Sequence, residues 1–165
     1  MNERPIMFHM KHNHHLIVAS FRHARGGIPN SVTESTPPER ITVRGSSLPD
    51  AISRVLNTML GYGGMPESGP LGDISARFQA TEATIETLVP ALLDSVVAIE
   101  SDFGSPVISA AVDGIRPLEG AYRGWGTATL GNGAARSREI TRIHRATIAT
   151  EDTGSVIVTI EMQPE

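Results

Sequence analysis

Cysteine is absent from the 165 residues, which removes disulfides, thiol nucleophiles and cysteine-bound metals from consideration. Aromatic residues make up only 4% of the chain, and Trp125 is the single tryptophan, so a core has to be built from Ile, Val, Leu and Ala. No apolar run approaches the ~20 residues that a membrane-spanning helix needs. The first residues, with Glu3 and Arg4 ahead of a histidine cluster and only Leu16 to Ala19 strictly apolar, do not read as a secretory signal. A cytoplasmic protein away from membranes is the expectation. An excess of basic charge is missing as well. With a net charge of −4, direct nucleic-acid binding is not expected of the surface as a whole, and any RNA contact would need a local patch.

What is present has the size of one ordinary domain, long enough to bury a proper core. Residues 1–39 read as an N-terminal strand followed by a Pro/Gly-rich loop, and residues 40–165 as an α+β core. "LIVASF", Leu16 to Phe21, is the first strand, and "RHARGGIPNSVTESTPPE" after it is turn chemistry throughout. "RITVRG", Arg40 to Gly45, alternates with Ile41 and Val43 on one face, as a half-buried strand does. "SSLPDAISRVLNTML" then places Leu48, Ala51, Ile52, Val55, Leu56, Met59 and Leu60 on one helical stripe. Ser47 and Asp50 have capping-box spacing, and Pro49 falls in the first turn, where its missing N–H costs nothing.

The strand–helix unit repeats. "DISARFQA" alternates, and "TEATIETLVPALLDSVVAIE" carries a second stripe through Ile85, Leu88, Val89, Leu92, Leu93, Val96 and Val97. Thr81 is the candidate N-cap. Pro90 requires either a kink or a later helix start, since an interior proline costs about 3 kcal/mol. "GYGGMPESGPLG" before this unit reads as a linker and lacks the Lys-Ser/Thr of a phosphate loop. From Pro106 onward the pattern is β: "VISAAVDG", "LEGAYRGWGTATL", "EITRIHRATIAT" and "SVIVTIEM", broken at "GIRP", "GNGAARSR" and "EDTG". The fold expected is α+β, two amphipathic helices packed on a largely antiparallel sheet.

This order of segments resembles the archease family. "ITVRGSSLPDAISRVLNTMLGY", "ARFQATEATIETLVPALLDSVV", "VISAAVDGIRPLEGAYRGWG" and "EITRIHRATIATEDTGSVIVTIEM" carry the likeness, over about residues 40 to 163. The resemblance implies a non-enzymatic accessory protein that assists a metal-dependent RNA ligase in tRNA splicing by promoting its guanylylated intermediate. It also implies a metal site built from an Asp in an N-terminal His-Thr-Ala-Asp motif and an Asp of the last strand. Here Glu161 stands for the last-strand acid. Thr141 and His144 stand at the Lys and Thr of the family's Lys-x-Val-Thr run. With the loop taken as an insertion, "HNHHLIV" lies over the N-terminal motif, His12 matching its histidine and His15 replacing its aspartate.

Read from the residues alone, His12 and His14 on a strand face the same side, a spacing that suits imidazole ligation of Zn, Ni, Cu or Mn. Exposed histidines flanking a strand are the plainer account. The expected metal set is His12, His14, His15 and Glu161, around a divalent Ca, Mn or Zn ion. Arg136, Arg138, Arg142 and Arg145, with His144, form a basic stretch, of which Arg142, His144 and Arg145 are the candidates for contacting phosphate or an acidic partner. A strand would put Arg142 and His144 on one face and Arg145 on the other; a solvated edge strand explains the same charges. Asp113 and Glu119 look like turn acids. Trp125, between two glycines, reads as a packing anchor, and an exposed ring there would mark an interface instead. Three functions follow. The first is an accessory protein with an RNA ligase or other protein partner; the others are a Zn/Mn hydrolase using the histidines and a structural module forming homo-oligomers.

Overall fold

The computed structural model describes residues 6–9, 16–20, 39–62, 70–132 and 140–162, with the backbone alone for 6–9, 16–20 and 70–73. Chain order is β1 (Ile6–His9), β2 (Leu16–Ser20), β3 (Arg40–Gly45), α1 (Leu48–Tyr62), β4 (Pro70–Glu82), α2 (Ile85–Phe103), β5 (Val107–Leu118), β6 (Ala121–Gly131), β7 (Ile143–Thr150) and β8 (Val156–Met162). The fold is α+β, as expected. Its strands divide into two antiparallel sheets, a five-stranded one in the order β1-β2-β3-β8-β7 and a three-stranded one in the order β4-β6-β5. The helices lie between them. α1 packs on β3 and β8 of the larger sheet and on β5 of the smaller, while α2 packs on β7 and on β4, β5 and β6. Among the described residues, no helix is long and apolar enough to cross a membrane.

Both helices are apolar on more than one side because each is covered twice. Ala51, Ile52, Val55, Leu56, Met59 and Leu60 of α1 are buried, as are Leu88, Val89, Leu92, Leu93, Val96 and Ile99 of α2. They meet Ile41, Val43, Val156, Val158, Ile160 and Met162 from one sheet and Phe78, Val107, Ala110, Val112, Ala128 and Leu130 from the other. Among the described residues, no polar or charged residue is buried. At about 1.5–3 kcal/mol for each fully buried aliphatic side chain, this layer is the main stabilising term.

The β3–α1 turn has a specific steric demand. A Cβ on Gly45 would lie 2.4 Å from the backbone nitrogen of Ala51 and 2.6 Å from its Cα, so only glycine lets the helix start so close to the strand. Ser47 caps the helix, its Oγ accepting from the Asp50 N–H at 3.2 Å. The Asp50 carboxylate reaches back to Ser46, accepting from its N–H at 2.9 Å. Partial burial pushes the Asp50 pKa up, but donors from Ser46 and Arg54 outweigh it and hold the group below the usual aspartate range.

α1 also closes the open edge of β5. The Asn57 side chain donates to Ala110 O at 2.8 Å and accepts from Ala110 N at 2.9 Å. Ser53 Oγ accepts from Val112 N at 2.8 Å while donating to Pro49 O at 2.7 Å. Two side chains of a helix thereby do for an edge strand what a neighbouring strand would do. On the opposite edge, Ser95 of α2 donates to Gln79 O of β4 at 2.9 Å.

Three expectations need correction. The N-cap of α2 is Thr84, whose Oγ1 accepts from Thr87 N at 3.2 Å; Thr81 is taken up by the β4–β6 ladder, opposite Arg123. The helix therefore starts at Ile85, which leaves Pro90 inside it but close to its first turn. "GIRP" does not break the strand: Gly114 to Pro117 belong to β5, and the hairpin turns at Glu119 and Gly120. β5 is a sheet edge, where a proline is tolerated because one side of the strand has no ladder to donate to. Finally, the run from Leu16 is not the first strand: β1 precedes it and pairs with it from Ile6 opposite Ala19 to His9 opposite Leu16.

Gly45→Ala is expected to lower stability by about 1–3 kcal/mol through overpacking against the α1 backbone. Asn57→Leu should cost about 1–3 kcal/mol by leaving both backbone groups of Ala110 without a partner, with Ser53→Ala costing less. Urea denaturation of the three variants beside the parent chain measures both effects.

Candidate functional site

Glu161 lies on β8, the second strand from the edge of the five-stranded sheet. Along β8, Val156, Val158, Ile160 and Met162 point into the core, which leaves Ile157, Thr159 and Glu161 on the outer face. Register puts Arg40 of β3 on one side of Glu161 and Arg145 of β7 on the other. The next row is Thr42, Thr159 and Thr147, with Thr42 and Thr159 hydroxyls 3.2 Å apart. Arg40 donates to the Glu161 carboxylate in an ion pair. Arg44, further along β3, donates to Glu151 at 2.7 Å.

β7 is not a regular strand at its start. Ile143 pairs with Met162 and Arg145 with Glu161, so three residues face two and His144 is the extra one. Ile143 and Ala146 are buried, whereas His144 and Arg145 are both exposed. The expected alternation is thus corrected: the bulge brings His144 and Arg145 to the same outer surface. Arg142 precedes the strand and instead lines a cavity of about 280 Å³ beside α2, with Leu93, Asp94, Val97 and Ser101. Thr141 lines that cavity too.

The hydrogen bond from Arg40 is the main reason the Glu161 pKa falls below the ordinary glutamate range. Slight desolvation opposes it, and the positive charges of Arg40, Arg145 and His144 add to the lowering. Of the expected metal set, Glu161 alone is described; His12, His14 and His15 lie outside the described residues, as do Arg136 and Arg138. Ser20 is the β2 residue level with Arg40 and hence with the Glu161 row. Among the described residues, no group of three or more His, Asp or Glu side chains is placed to hold a metal ion. A cation at Glu161 would have to displace Arg40 and sit beside Arg145.

A second surface was not legible as a unit in the sequence. The outer face of the three-stranded sheet holds a cavity of about 700 Å³, lined by Arg77, Gln79, Asp113, Arg116, Arg123 and Trp125 among others. Trp125 is 39% exposed, so it is a surface residue and not a buried anchor. Its indole lies on Gly114, the residue opposite it on β5: a Cβ there would come within 2.5 Å of the ring. β5 shifts register between Val112 and Gly114, which makes Asp113 a bulge residue; its carboxylate accepts from Thr127 Oγ1 at 3.0 Å. Arg123 donates to the Gln79 side chain. Arg77 and Arg116 have no hydrogen-bond or ion-pair partner among the described residues. The only local signal for this face was Trp125 between two glycines.

No protein-family model matches the chain, and no curated protein does. Among solved structures, the chain is similar to the solution structure of Methanobacterium thermoautotrophicum protein 1598, with a TM-score of 0.52 and 14% identity. The likeness covers 79% of this chain and 94% of that one. It is a likeness of fold.

The Glu161 row makes a pH prediction. Its folded pKa lies below the ordinary value of 4.5, so its contribution to stability is present above that value and fades as pH falls through the folded pKa. Arg40→Ala should move the Glu161 titration midpoint upward, toward the ordinary value, with a smaller upward move in Arg145→Ala. Carboxyl carbon NMR of the two variants and the parent measures it; an unmoved midpoint in Arg40→Ala would remove the ion pair from the account.

Proposed function

We propose that this protein is a divergent archease-like accessory protein, non-enzymatic, which modulates a partner enzyme of the RNA-ligation type. One observation carries the reading. Two of the three positions that the family resemblance singles out near the end of the chain, Glu161 and His144, come together on one exposed surface with Arg40 and Arg145, while Thr141 lines the cavity beside α2. The order of two strand–helix units followed by four strands, and the likeness in fold to a solved structure of similar size, support the same reading at the level of fold.

The chemistry of this surface suits docking. β7 is the edge of the five-stranded sheet, so the row ends beside a strand with an unpaired side. Arg145 presents a planar fork that matches a carboxylate or phosphate in two parallel hydrogen bonds. Glu161 keeps the neighbouring Arg40 in place. A partner surface carrying an acidic group would meet Arg145 and His144 first, and such rim charges chiefly set association rate and salt dependence. No step of this reading passes through a metal ion.

The test is an RNA ligase from the same source, assayed for its guanylylated intermediate and for repeated turnover with and without this protein. Substoichiometric protein should raise the number of turnovers. Arg145→Glu should reduce that stimulation by about tenfold or more, equivalent to about 1.4 kcal/mol of coupling, with an unchanged melting temperature. Absence of stimulation by the parent protein refutes the proposal.

A further inference from the structure

We infer that the outer face of the three-stranded sheet binds a nucleoside phosphate unit, its base stacked on Trp125 and its phosphate held by Arg116 and Arg123. The inference is independent of the accessory function, since it rests on a different sheet. It starts from how the indole is mounted. Because Gly114 has no side chain, one face of the ring lies against the β5 backbone, and the remaining exposure belongs to the outward side. A flat aromatic surface fixed in this way is a stacking platform for a planar base.

Charge around the ring is arranged by register. Toward the hairpin turn, Arg116 and Arg123 stand opposite each other on β5 and β6, one row from Trp125. Like charges directly opposite are unfavourable on a sheet. Arg123 is held by a neutral amide, Gln79, and Arg116 has no partner among the described residues. A phosphate between them relieves the repulsion and uses both guanidinium forks. On the other side of the ring, Thr127 stands opposite Arg77 of β4, and Asp113 lies beside Thr127. That carboxylate repels a phosphate, which sets the polarity: phosphate toward the turn, base over the indole. Arg77 then lies where a second phosphate of a strand would pass. The lining has three arginines against one aspartate, a local positive patch on a chain of net charge −4.

Trp125 is the only tryptophan in the chain, so fluorescence excited at the red edge, where tyrosine does not absorb, reads this site alone. The experiment titrates the full chain with adenosine monophosphate and with a tetraadenylate RNA. Saturable quenching by both is expected. Arg116→Ala should weaken both ligands by about tenfold, a loss of about 1.4 kcal/mol, and Arg77→Ala should weaken the tetranucleotide alone. Neither variant should melt below the parent, since neither arginine has a partner to lose and Arg116→Ala removes a like-charge pair. With two phosphates neutralised, one by Arg116 and Arg123 and one by Arg77, the RNA affinity should fall with salt at a log–log slope of about −1.4. Much tighter binding of the RNA identifies a strand as the ligand, and equal affinity identifies the free nucleotide. The inference is overturned by the lack of saturable quenching, or by quenching that Arg116→Ala leaves unchanged. It is equally overturned if a hexaglutamate peptide quenches with the same arginine dependence while both nucleotides do not, which would make the face a protein-docking patch.

Discussion

Two side chains of α1 determine how the rest of the molecule is put together. Ser53 and Asn57 hydrogen-bond the β5 backbone at Ala110 and Val112, and they do so from a helix whose other side lies on β3 and β8. The same helix is therefore fastened to the three-stranded sheet by directional bonds and to the five-stranded sheet by apolar packing. Gly45 sets the height of the helix over the larger sheet by allowing contact with Ala51. If that spacing grew, either the aliphatic layer would open or the Asn57 bonds would break. Neither sheet can shift relative to the other without disturbing one of these two constraints.

This arrangement explains why the two candidate surfaces are both on the outside. The space between the sheets is filled by aliphatic side chains, with no buried polar group among the described residues. Chemistry is left to the outer faces, where β-strand alternation puts the second set of side chains. On the larger sheet that set gives the Arg40, Glu161 and Arg145 row; on the smaller it gives Trp125 and its arginines. Each face also has a bulge, at His144 and at Asp113, and in both cases the extra residue is a titratable group turned toward solvent. Bulges commonly re-aim side chains in this way.

What the sequence disclosed, and what it hid, divides along the same line. The β3–α1 unit was readable through the strand, the helix start and the buried stripe because its signals are local: alternation in "RITVRG", a serine cap, a proline in the first turn and a helical stripe. The hairpin between β7 and β8 was readable from Asp152, Thr153 and Gly154 for the same reason, and Glu151 and Ser155 close it at 2.8 Å. Thr81 and Thr84 are equally good caps in isolation. Only the length of the β6 ladder decides between them. Likewise the bulge at His144 depends on which β8 residue faces Ile143, so no alternation within "RIHRATIAT" could show that His144 and Arg145 share a surface. Trp125 was noticed, but its exposure depends on a glycine of the neighbouring strand, and the arginines around it come from three separate strands.

The sheet order has a temporal side. β8 is the last described strand, yet it lies between β3 and β7, and its partner β3 is more than a hundred residues earlier in the chain. Pairings of such long sequence separation form slowly, while β4, α2, β5 and β6 are consecutive and can associate as soon as they exist. During synthesis the smaller sheet can therefore be complete while the larger one still has a gap between β3 and β7. Until Val156 to Met162 leave the ribosome, β3 and β7 are two open edges with aliphatic inner faces, the kind of surface that chaperones recognise and that aggregates when left uncovered. The final seven-residue strand is the keystone of the five-stranded sheet, set last.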